Sequence, residues 1–259
     1  MTDWIPPADP VAVEHGRELL AGAGSVTVLT GAGMSTDSGI PDFRGPQGLW
    51  TKNPKAERTS NIEYYVRDPE VRKLAWQGRI AWLEQPRPPN QGHFALVELE
   101  RRGSLHTLVT QNVDGLHQAA GLSDDLVVEV HGTIHQVACL GCAARGPIED
   151  ALQRVRAGEE DPHCLDCGGL LKSATVSFGQ SLDPGDLLRA EEAAEACDVL
   201  LAIGTTLSVY PIAAMVPIAQ RAGARVVIVN AEPTEMDDLA DVVIRGSISA
   251  VLPALLARP

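Results

Sequence analysis

The chain has 259 residues with 34 acidic and 21 basic side chains, which give a formal net charge of −13. Because phosphate backbones are bound by basic surfaces, this balance argues against direct binding of DNA or RNA. It suits a positively charged protein or peptide partner, or it serves solubility alone. No apolar run reaches the roughly 18 residues that cross a bilayer, and residues 1–10 do not resemble a secretory signal. We therefore expect a cytoplasmic protein with no membrane partner and no disulfides.

Apolar, β-branched runs alternate along the chain with helical patterns. The predicted strands are residues 25–30, 105–110, 126–130, 175–178, 199–203, 225–229 and 241–244. The predicted helices between them are residues 10–21, 92–102, 184–196 and 210–222. Continuous apolar strands are typical of parallel sheets that are covered on both faces, so the pattern predicts an open α/β sheet.

Two stretches interrupt this alternation. Residues 45–89 contain few strand patterns and several helical ones, and residues 136–173 contain four of the five cysteines. We interpret both stretches as inserts that together form a smaller domain beside the sheet.

The four cysteines of the second insert form two C-x2-C pairs, Cys139 with Cys142 and Cys164 with Cys167. Two such pairs complete a tetrahedral thiolate shell around zinc. Since four thiolates leave no open coordination position, the predicted zinc is structural and not catalytic. The alternatives are a redox-active pair or a chance spacing. Cys197 precedes an apolar strand, and we interpret it as a core residue.

The first predicted strand runs into a glycine turn, TGAGMS at residues 30–35. A strand, a glycine turn and a helix in that order present backbone N–H groups to a pyrophosphate, which glycine lets the backbone approach closely. The turn departs from G-x-G-x-x-G, because Thr36 stands at the third glycine position. Taken alone, it is also explained as a purely structural turn.

Polar segments follow the glycine turn and the next two predicted strands. SGIPDFRG at residues 38–45 supplies a carboxylate, an aromatic ring and a guanidinium, and TQNVDGLH at 110–117 supplies amides and a carboxylate. The third strand ends with His131 and Gly132. Ligands of open α/β sheets bind at the carboxyl ends of the strands, so these segments predict one nucleotide site.

These motifs, both cysteine pairs, GTTLSV at 204–209 and NAE at 230–232 resemble bacterial members of the sirtuin family, in that family's order. The resemblance implies a Rossmann-like open parallel sheet with a smaller inserted zinc-binding and helical domain. On this basis we expect the NAD-binding large domain at residues 1–44, 90–135 and 174–259. A cofactor loop and helical insert are expected at 45–89, and a zinc-ribbon insert at 136–173.

The resemblance also implies roles for individual positions. The predicted catalytic residues are Asn112, Asp114 and His131. NAD is expected as a co-substrate. Its phosphates are expected at Gly31, Ala32 and Gly33, and its nicotinamide ribose beneath Asp42, Phe43 and Arg44. Gln111, Asn112 and Asp114 are expected at the nicotinamide and its ribose, and the adenosine half is expected at Thr205, Thr206, Asn230, Glu232 and Ile248. The other predicted NAD contacts are Ser35, Trp50 and Gly204. The predicted partner is an acyl-lysine protein or peptide, paired as a strand with Val176, Ser177, Phe178 and Gly179.

The implied reaction transfers the acyl group of lysine to ADP-ribose and releases nicotinamide. Its transition state has oxocarbenium character, so a dry pocket favours acyl transfer over hydrolysis, and Phe43 is expected to cover that face. A ribose hydroxyl must also lose a proton, which suits a neutral histidine with a reference pKa of about 6.5. His131 is the predicted base. The other histidines, interpreted as structural, are His15, His93, His106, His117, His135 and His163.

Three other functions remain open at this stage. Mono-ADP-ribosyl transfer to protein would use the same NAD site with another nucleophile. A non-catalytic NAD sensor or zinc-ribbon binding module would lack the polar residues at 112, 114 and 131, which are present. A hydride-transferring dehydrogenase is disfavoured, because no substrate domain remains once both inserts are assigned.

The chain departs from the sirtuin pattern in the residues expected to bind the peptide. Ser173 and Ala174 stand where the family often has proline and an acidic residue, and Gln180 stands where it often has glutamate.

Members that prefer succinyl or malonyl groups resemble one another in a tyrosine and an arginine three residues apart. Helix 69–83 offers Trp76 and Arg79 at that spacing, so half of the carboxylate clamp is missing. We expect a preference for acetyl groups, with Arg79 otherwise interpreted as a solvated surface charge.

Overall fold

A parallel sheet lies at the centre of the computed structural model, which describes residues 7–42, 58–85 and 87–257. In chain order the strands are β1 (Val26–Thr30), β2 (Leu105–Thr110), β3 (Val127–Glu129), β4 (Gly132–Cys139), β5 (Arg145–Pro147), β6 (Leu171–Thr175), β7 (Val199–Ile203), β8 (Arg225–Val229) and β9 (Val242–Ile244). Six strands form the parallel sheet in the order β3-β2-β1-β7-β8-β9, and three form an antiparallel sheet in the order β5-β4-β6. The predicted open α/β sheet is confirmed.

The helices are α1 (Pro10–Ala21), α2 (Ile62–Arg67), α3 (Pro69–Leu83), α4 (Gln91–Arg101), α5 (Leu116–Ala119), α6 (Ile148–Arg156), α7 (Pro184–Ala196), α8 (Met215–Ala222) and α9 (Ile248–Leu255). Three of them begin with aspartate followed by proline. The carboxylates of Asp9, Asp68 and Asp183 each accept a backbone N–H of the first turn. Proline at the first helical position needs no such partner, so the Asp-Pro pair specifies where these helices begin.

Two layers of helices cover the parallel sheet. Successive side chains of a strand point to opposite faces, so Val28 and Leu29 of β1 belong to different cores. Val28 packs with residues of α1, α4 and α9, and Leu29 packs with residues of α7 and α8. Every residue of β1 and β7 is buried, in agreement with the apolar and β-branched composition of both strands.

The two inserts pack on each other. Trp76 of α3 lies in a third core with Leu152 of α6 and with residues of β4 and β6. The hydroxyl of Tyr65, on α2, donates a hydrogen bond of 2.7 Å to the carbonyl oxygen of Leu171. A buried ion pair joins the guanidinium of Arg72 to Asp161 at 2.8 Å. The helical and cysteine-containing segments thus share one small core.

Two sequence expectations are corrected. A strand of the parallel sheet was expected at 175–178, but β6 ends at Thr175 and belongs to the antiparallel sheet. Residues that follow β6 pair instead with His131 and with residues 60–62, which sequence patterns do not reveal. The expected helix 210–222 begins as a 3-10 segment, Ile212–Ala214, before α8. Among the described residues, no helix combines the length and apolarity that crossing a membrane requires.

Candidate active site

Two turns meet at the carboxyl ends of the neighbouring strands β1 and β7. The N–H of Gly33 donates to the carbonyl oxygen of Gly204 over 2.8 Å. A Cβ atom on Gly31 would lie 2.7 Å from Cβ of Thr205, and one on Gly33 would lie 2.8 Å from Cα of Gly204. Side chains at either position would separate the turns, so the close approach requires both glycines. The segment that follows is a 3-10 helix, Ala32–Ser38, and not an α-helix.

A chain of hydrogen bonds joins the glycine turn to the end of β2. Nδ2 of Asn112 donates to the carbonyl oxygen of Gly31 at 3.0 Å and to Oγ of Ser35 at 3.2 Å. That hydroxyl donates to Oδ2 of Asp114 at 2.7 Å, and Oδ1 of Asp114 accepts the N–H of Leu116 at 3.0 Å. Burial raises the pKa of Asp114, while these two hydrogen bonds oppose the rise. The predicted residues Ser35, Asn112 and Asp114 therefore lie together and are held in place.

His131 follows β3 at the same edge of the sheet. Its Nδ1 lies 2.9 Å from the carbonyl oxygen of Gln111, the residue after β2. A carbonyl only accepts, so Nδ1 carries the proton and Nε2 is the unprotonated nitrogen of the neutral ring. Burial lowers the pKa of His131, and the Gln111 hydrogen bond acts against this. The ring is thus neutral at cellular pH, as a general base requires.

The side chain of Gln111 also connects two strand ends. Its Nε2 donates to Oγ1 of Thr205, after β7, over 3.1 Å. Thr205 is buried and Thr206 is exposed, with its hydroxyl 2.7 Å from that of Ser208. The predicted positions Gln111, Thr205 and Thr206 therefore lie along the carboxyl edge of the parallel sheet, although of the two threonines only Thr205 is buried there.

The loop after β8 contains the predicted residues Asn230 and Glu232. Nδ2 of Asn230 donates to the carbonyl oxygen of Glu232 over 2.7 Å. Nη1 of Arg245 donates to the carbonyl oxygens of both residues, at 3.1 Å and 2.9 Å. Glu232 itself is exposed, so its carboxylate is available to a ligand. Arg245 was not predicted, because no sequence pattern links it to a loop that precedes it.

Ile248, the predicted adenine contact, is buried at the start of α9. A Cβ atom on Gly92 would lie 3.1 Å from Cγ2 of Ile248, so α4 approaches this residue closely. Oδ2 of Asp37 accepts from Oγ of Ser247 at 3.0 Å and from the N–H of Ser249 at 3.3 Å. Asp37, which was not predicted, therefore ties α9 to the segment that follows the glycine turn.

The predicted peptide-binding segment comes directly after β6. The N–H of Val176 donates to the carbonyl oxygen of His131 at 2.7 Å, which places the segment beside the candidate base. The N–H of Phe178 donates to Ser60 O at 2.8 Å, and its carbonyl oxygen accepts the N–H of Ile62 at 3.0 Å. Both main-chain groups of Phe178 are therefore used within the chain. An incoming peptide strand must pair with other groups of this segment.

Gln180 folds back on the same segment. Its Oε1 accepts the N–H of Ser177 at 2.9 Å, and its own N–H donates to the carbonyl oxygen of Ser177 at 2.9 Å. Gly179, between them, has φ +85° and is exposed. In the part of the chain that the structure describes, its N–H has no partner. The N–H of Gly179 is thus available to pair with a peptide, as predicted for this position.

Three predicted cofactor contacts, Phe43, Arg44 and Trp50, lie outside the described residues. Asp42, just before them, is described and half-buried. Of the histidines interpreted as structural, His135 approaches the site, with Nε2 3.0 Å from the carbonyl oxygen of Asp114.

The four cysteines of the C-x2-C pairs form one cluster, in which all four Sγ atoms lie within 4.8 Å of one another. Sγ of Cys139 is 3.5 Å from that of Cys167, and Sγ of Cys142 is 3.7 Å from that of Cys164. Zinc–sulfur bonds of about 2.3 Å in a tetrahedron need sulfur separations of about 3.8 Å. The cluster therefore fits structural zinc. Cys197 is buried in the core that covers one face of the parallel sheet, as predicted.

The two helix residues weighed for acyl choice differ in their surroundings. Trp76 is 2% exposed in the small core, and its Nε1 has no hydrogen-bond partner within the described part of the chain. Nη2 of Arg79 donates to Oγ of Ser173 over 2.9 Å, and burial lowers the pKa of Arg79 to about 10. Arg79 is therefore half-buried, and its interpretation as a solvated surface charge is wrong. Ser173, one of the departures noted in the sequence, supplies the partner.

Known proteins resemble this chain over nearly its whole length. Residues 31–211 match the model of the Sir2 family. NAD-dependent protein deacetylase 2 of Streptomyces coelicolor is 53% identical over 237 residues, which cover 92% of this chain and 98% of that protein. A solved structure described as "Structural Basis for the Mechanism and Regulation of Sir2 Enzymes" has a TM-score of 0.86 at 37% identity, covering 96% of this chain and 97% of the other. Another, described as "Sir2-p53 peptide-NAD+", has a TM-score of 0.83 at 31% identity, covering 94% and 97%.

Proposed function

This chain belongs to the Sir2 family, and we propose that it works as an NAD-dependent protein lysine deacetylase with His131 as its general base. It is an enzyme that acts on acyl-lysine and uses NAD as co-substrate. The observation that carries the proposal for the base is the 2.9 Å contact between Nδ1 of His131 and the carbonyl oxygen of Gln111. That contact leaves Nε2 free to accept a proton, beside the residues proposed to hold NAD.

When NAD and acyl-lysine are bound, the acyl oxygen displaces nicotinamide from the ribose, and a ribose hydroxyl then adds to the carbon of the resulting imidate. Water releases the lysine amine, which leaves the acyl group on the ribose. His131 accepts the proton of that hydroxyl at Nε2. The carbonyl oxygen of Gln111 stabilises the imidazolium that results, because the Nδ1–H hydrogen bond strengthens as the ring gains charge.

Asn112 and Asp114 are proposed to bind the nicotinamide ribose and the carboxamide. Asn112 already donates to Gly31 O and to Ser35, so its amide is oriented before a ligand arrives. Asp114 is likewise fixed by Ser35 and by the N–H of Leu116. Such preorganisation reduces the entropy lost on binding and holds the reacting groups in register.

The phosphates are assigned to the turn at Gly31, Ala32 and Gly33, whose backbone packs against Gly204 without intervening side chains. The exposed carboxylate of Glu232 suits the hydroxyls of the adenosine ribose. The remaining contacts proposed for the cofactor are Ser35, Asp42, Phe43, Arg44, Trp50, Gln111, Thr205, Thr206, Asn230 and Ile248.

The four-cysteine cluster is assigned a structural zinc, since Cys139, Cys142, Cys164 and Cys167 leave no open ligand position. Zinc there stabilises the small core that Trp76 of α3 shares. The large domain is proposed to comprise residues 1–44, 90–135 and 174–259, with the inserts between. A reducing compartment such as the cytoplasm suits five free thiols.

The substrate is proposed to be an acyl-lysine protein or peptide that binds along residues Val176, Ser177, Phe178 and Gly179. The net charge of −13 favours approach of a basic segment. Nothing in the charge balance supports a nucleic-acid partner. No observation favours mono-ADP-ribosyl transfer or a non-catalytic NAD sensor.

The proposal is tested by incubating the purified protein with an acetyl-lysine peptide, with and without NAD, and following peptide and nucleotide by mass spectrometry. Loss of the acetyl group only when NAD is present is expected. An unchanged peptide, or acetyl loss that does not need NAD, would contradict the proposal. A panel of other acyl-lysine peptides then defines the preferred acyl group.

A further inference from the structure

Two fully buried histidines face each other behind the proposed NAD site. His93 of α4 and His117 of α5 are 0% and 2% exposed, and their ring centroids are 5.0 Å apart. One nitrogen of each ring, Nε2 of His93 and Nδ1 of His117, is buried and has no hydrogen-bond partner among the residues that the structure describes. Buried polar atoms are nearly always paired, so two such atoms on adjacent rings require an explanation.

The second nitrogen of each ring has a partner, and these partners define the tautomers. The backbone N–H of Asn90 donates to Nδ1 of His93 over 3.2 Å, so the proton of neutral His93 is on Nε2. Nε2 of His117 lies 3.0 Å from Oγ1 of Thr30, which donates its own proton to Oγ1 of Thr110 at 2.8 Å. The Thr30 oxygen must therefore accept from His117, whose proton is then on Nε2 and whose Nδ1 is bare.

The two unpartnered atoms are consequently complementary, because His93 presents an N–H and His117 a lone pair. We propose that His93 and His117 form one neutral pair, hydrogen-bonded through a single enclosed water, and act as positioning residues for the NAD site. The pair lies outside the groups proposed to touch NAD or peptide. The inference deepens the proposed function and rests on it for its kinetic consequence.

One end of the pair holds the segment after the glycine turn. The side chain of Asn90, whose N–H binds His93, donates to the carbonyl oxygen of Met34 at 2.9 Å and to Oγ of Ser38 at 3.0 Å. These residues belong to the 3-10 segment Ala32–Ser38, which contains Ser35. A displacement of His93 is thus passed to the turn by one side chain.

The other end holds Asn112. Oγ1 of Thr110, the acceptor for Thr30, also accepts the backbone N–H of Asn112 at 3.0 Å. The chain from Asn90 through His93, His117, Thr30 and Thr110 therefore connects the two halves of the proposed site. Both imidazoles stay neutral in this arrangement, since desolvation lowers the pKa of His93 to about 4 and that of His117 well below its usual value.

A purely structural role for His93 is separable from this one. His93 occupies the third position of α4 and completes its capping box, a position where glutamine serves equally. His93→Gln keeps the cap and also keeps an amide N–H that can face His117, whereas His93→Leu removes both. Thr30→Val removes the link from His117 to Thr110 with little change in volume. Thr27→Val is the matched control, because Thr27 is equally buried on β1 but donates to Ala193 O, away from the pair.

The kinetic test measures kcat/KM for NAD, the KM for an acetyl-lysine peptide and the melting temperature of each variant. We expect His93→Leu and Thr30→Val each to lower kcat/KM for NAD roughly 10-fold, as loss of supporting hydrogen bonds does at other sites, with the peptide KM unchanged. His93→Gln, which retains an N–H donor, should stay close to wild type. The double variant should lose no more kcat/KM than the more impaired of the two single variants, because both substitutions break the same chain of hydrogen bonds. Thr27→Val should melt lower yet keep its kcat/KM. Unchanged kcat/KM for NAD in Thr30→Val would overturn the proposal.

A second measurement does not depend on activity. Long-range nitrogen–proton NMR spectra of protein labelled with nitrogen-15 in histidine report the tautomer and charge of each ring, with His93→Gln providing the assignment. Both rings should be neutral and protonated on Nε2 at pH 6. A charged ring at that pH, or a proton on Nδ1 of His117, would overturn the pair. An inactive wild-type protein with the expected spectra would instead contradict the proposed function alone.

Discussion

The carbonyl oxygen of Gln111 lies 2.9 Å from Nδ1 of His131, so a residue at the end of one strand fixes the tautomer of a residue at the end of the next. The ring can rotate little without losing that hydrogen bond, and its free Nε2 keeps a constant direction. Because β2 and β3 are parallel neighbours, the base is placed by the sheet itself.

Replacing the proposed base should affect turnover far more than binding. His131→Ala is expected to lower kcat roughly 10²- to 10⁴-fold, the usual contribution of general base catalysis, while ADP-ribose affinity stays within a few fold. Steady-state kinetics and calorimetry measure the two quantities. His106→Ala, an exposed histidine on β2, is the control and should behave as wild type. Wild-type turnover in His131→Ala would remove His131 from the mechanism.

The cysteine cluster should bind one zinc per chain. Cys164→Ser is expected to lose the metal and to melt at a lower temperature, because zinc binding contributes directly to folding of the small domain. Cys197→Ser is the matched control, a buried cysteine outside the cluster that should retain the zinc. Elemental analysis of the purified proteins measures the zinc content per chain in the wild type and in both variants. Well-folded, active Cys164→Ser protein without zinc would contradict the structural role.

Acid should destabilise the fold partly through His93. Its pKa is about 4 in the folded protein and about 6.5 when unfolded, so below pH 6.5 the unfolded state takes up a proton that the folded state does not. The free energy of unfolding therefore includes the full contribution of neutral His93 above pH 6.5, and that contribution is lost as the pH falls towards 4. Between pH 7 and pH 5 it amounts to roughly 2 kcal/mol.

Urea unfolding at those two pH values measures the loss in wild type and in His93→Gln. The variant should lose roughly 2 kcal/mol less than wild type on acidification, because glutamine does not titrate. An equal loss in both proteins would mean that His93 is not buried in its neutral form.

The enzyme should prefer acetyl-lysine to succinyl-lysine. Arg79 already donates to the hydroxyl of Ser173, and the tyrosine that would complete a carboxylate clamp is replaced by Trp76, which lies in the small core. Because one arm of the guanidinium is engaged, a bidentate contact with a carboxylate would cost a hydrogen bond. Values of kcat/KM on matched peptides should favour acetyl roughly 10-fold or more.

Ser173→Ala tests the reason for that preference, since it releases Arg79 without altering the residues proposed to bind NAD. The ratio of succinyl to acetyl turnover should rise in this variant. Equal or better succinyl turnover by the wild-type enzyme would make Arg79 a determinant of acidic acyl specificity instead.

Sequence patterns were sufficient where local chemistry decides the structure. Helices α1, α3 and α7 have the predicted bounds, since the Asp-Pro pair marks each start. The glycine turn, Asn112 and His131 come together because they end three parallel strands of one sheet. The cysteine spacing similarly predicted the cluster.

The remaining features depend on pairs of residues that are distant in sequence. Residues 175–178 have a strand-like composition, but their hydrogen bonds go to His131 and Ser60 and not to the parallel sheet. The contact between Arg79 and Ser173 joins two separate inserts, and the pairing of His93 with His117 joins two helices. Neither hydropathy nor spacing carries information about such contacts. The sequence alone therefore predicted Arg79 to be a solvated surface charge.

The stoichiometry of a single turnover tests the proposed deacylation most directly. Enzyme in excess over an acetyl-lysine peptide is mixed with NAD, and the peptide, nicotinamide and nucleotide products are quantified by mass spectrometry. One nicotinamide and one acetyl-ADP-ribose should form for each free lysine. Nicotinamide release with the peptide still acetylated, or a peptide that has gained ADP-ribose, would contradict acyl transfer to NAD as the reaction of this enzyme.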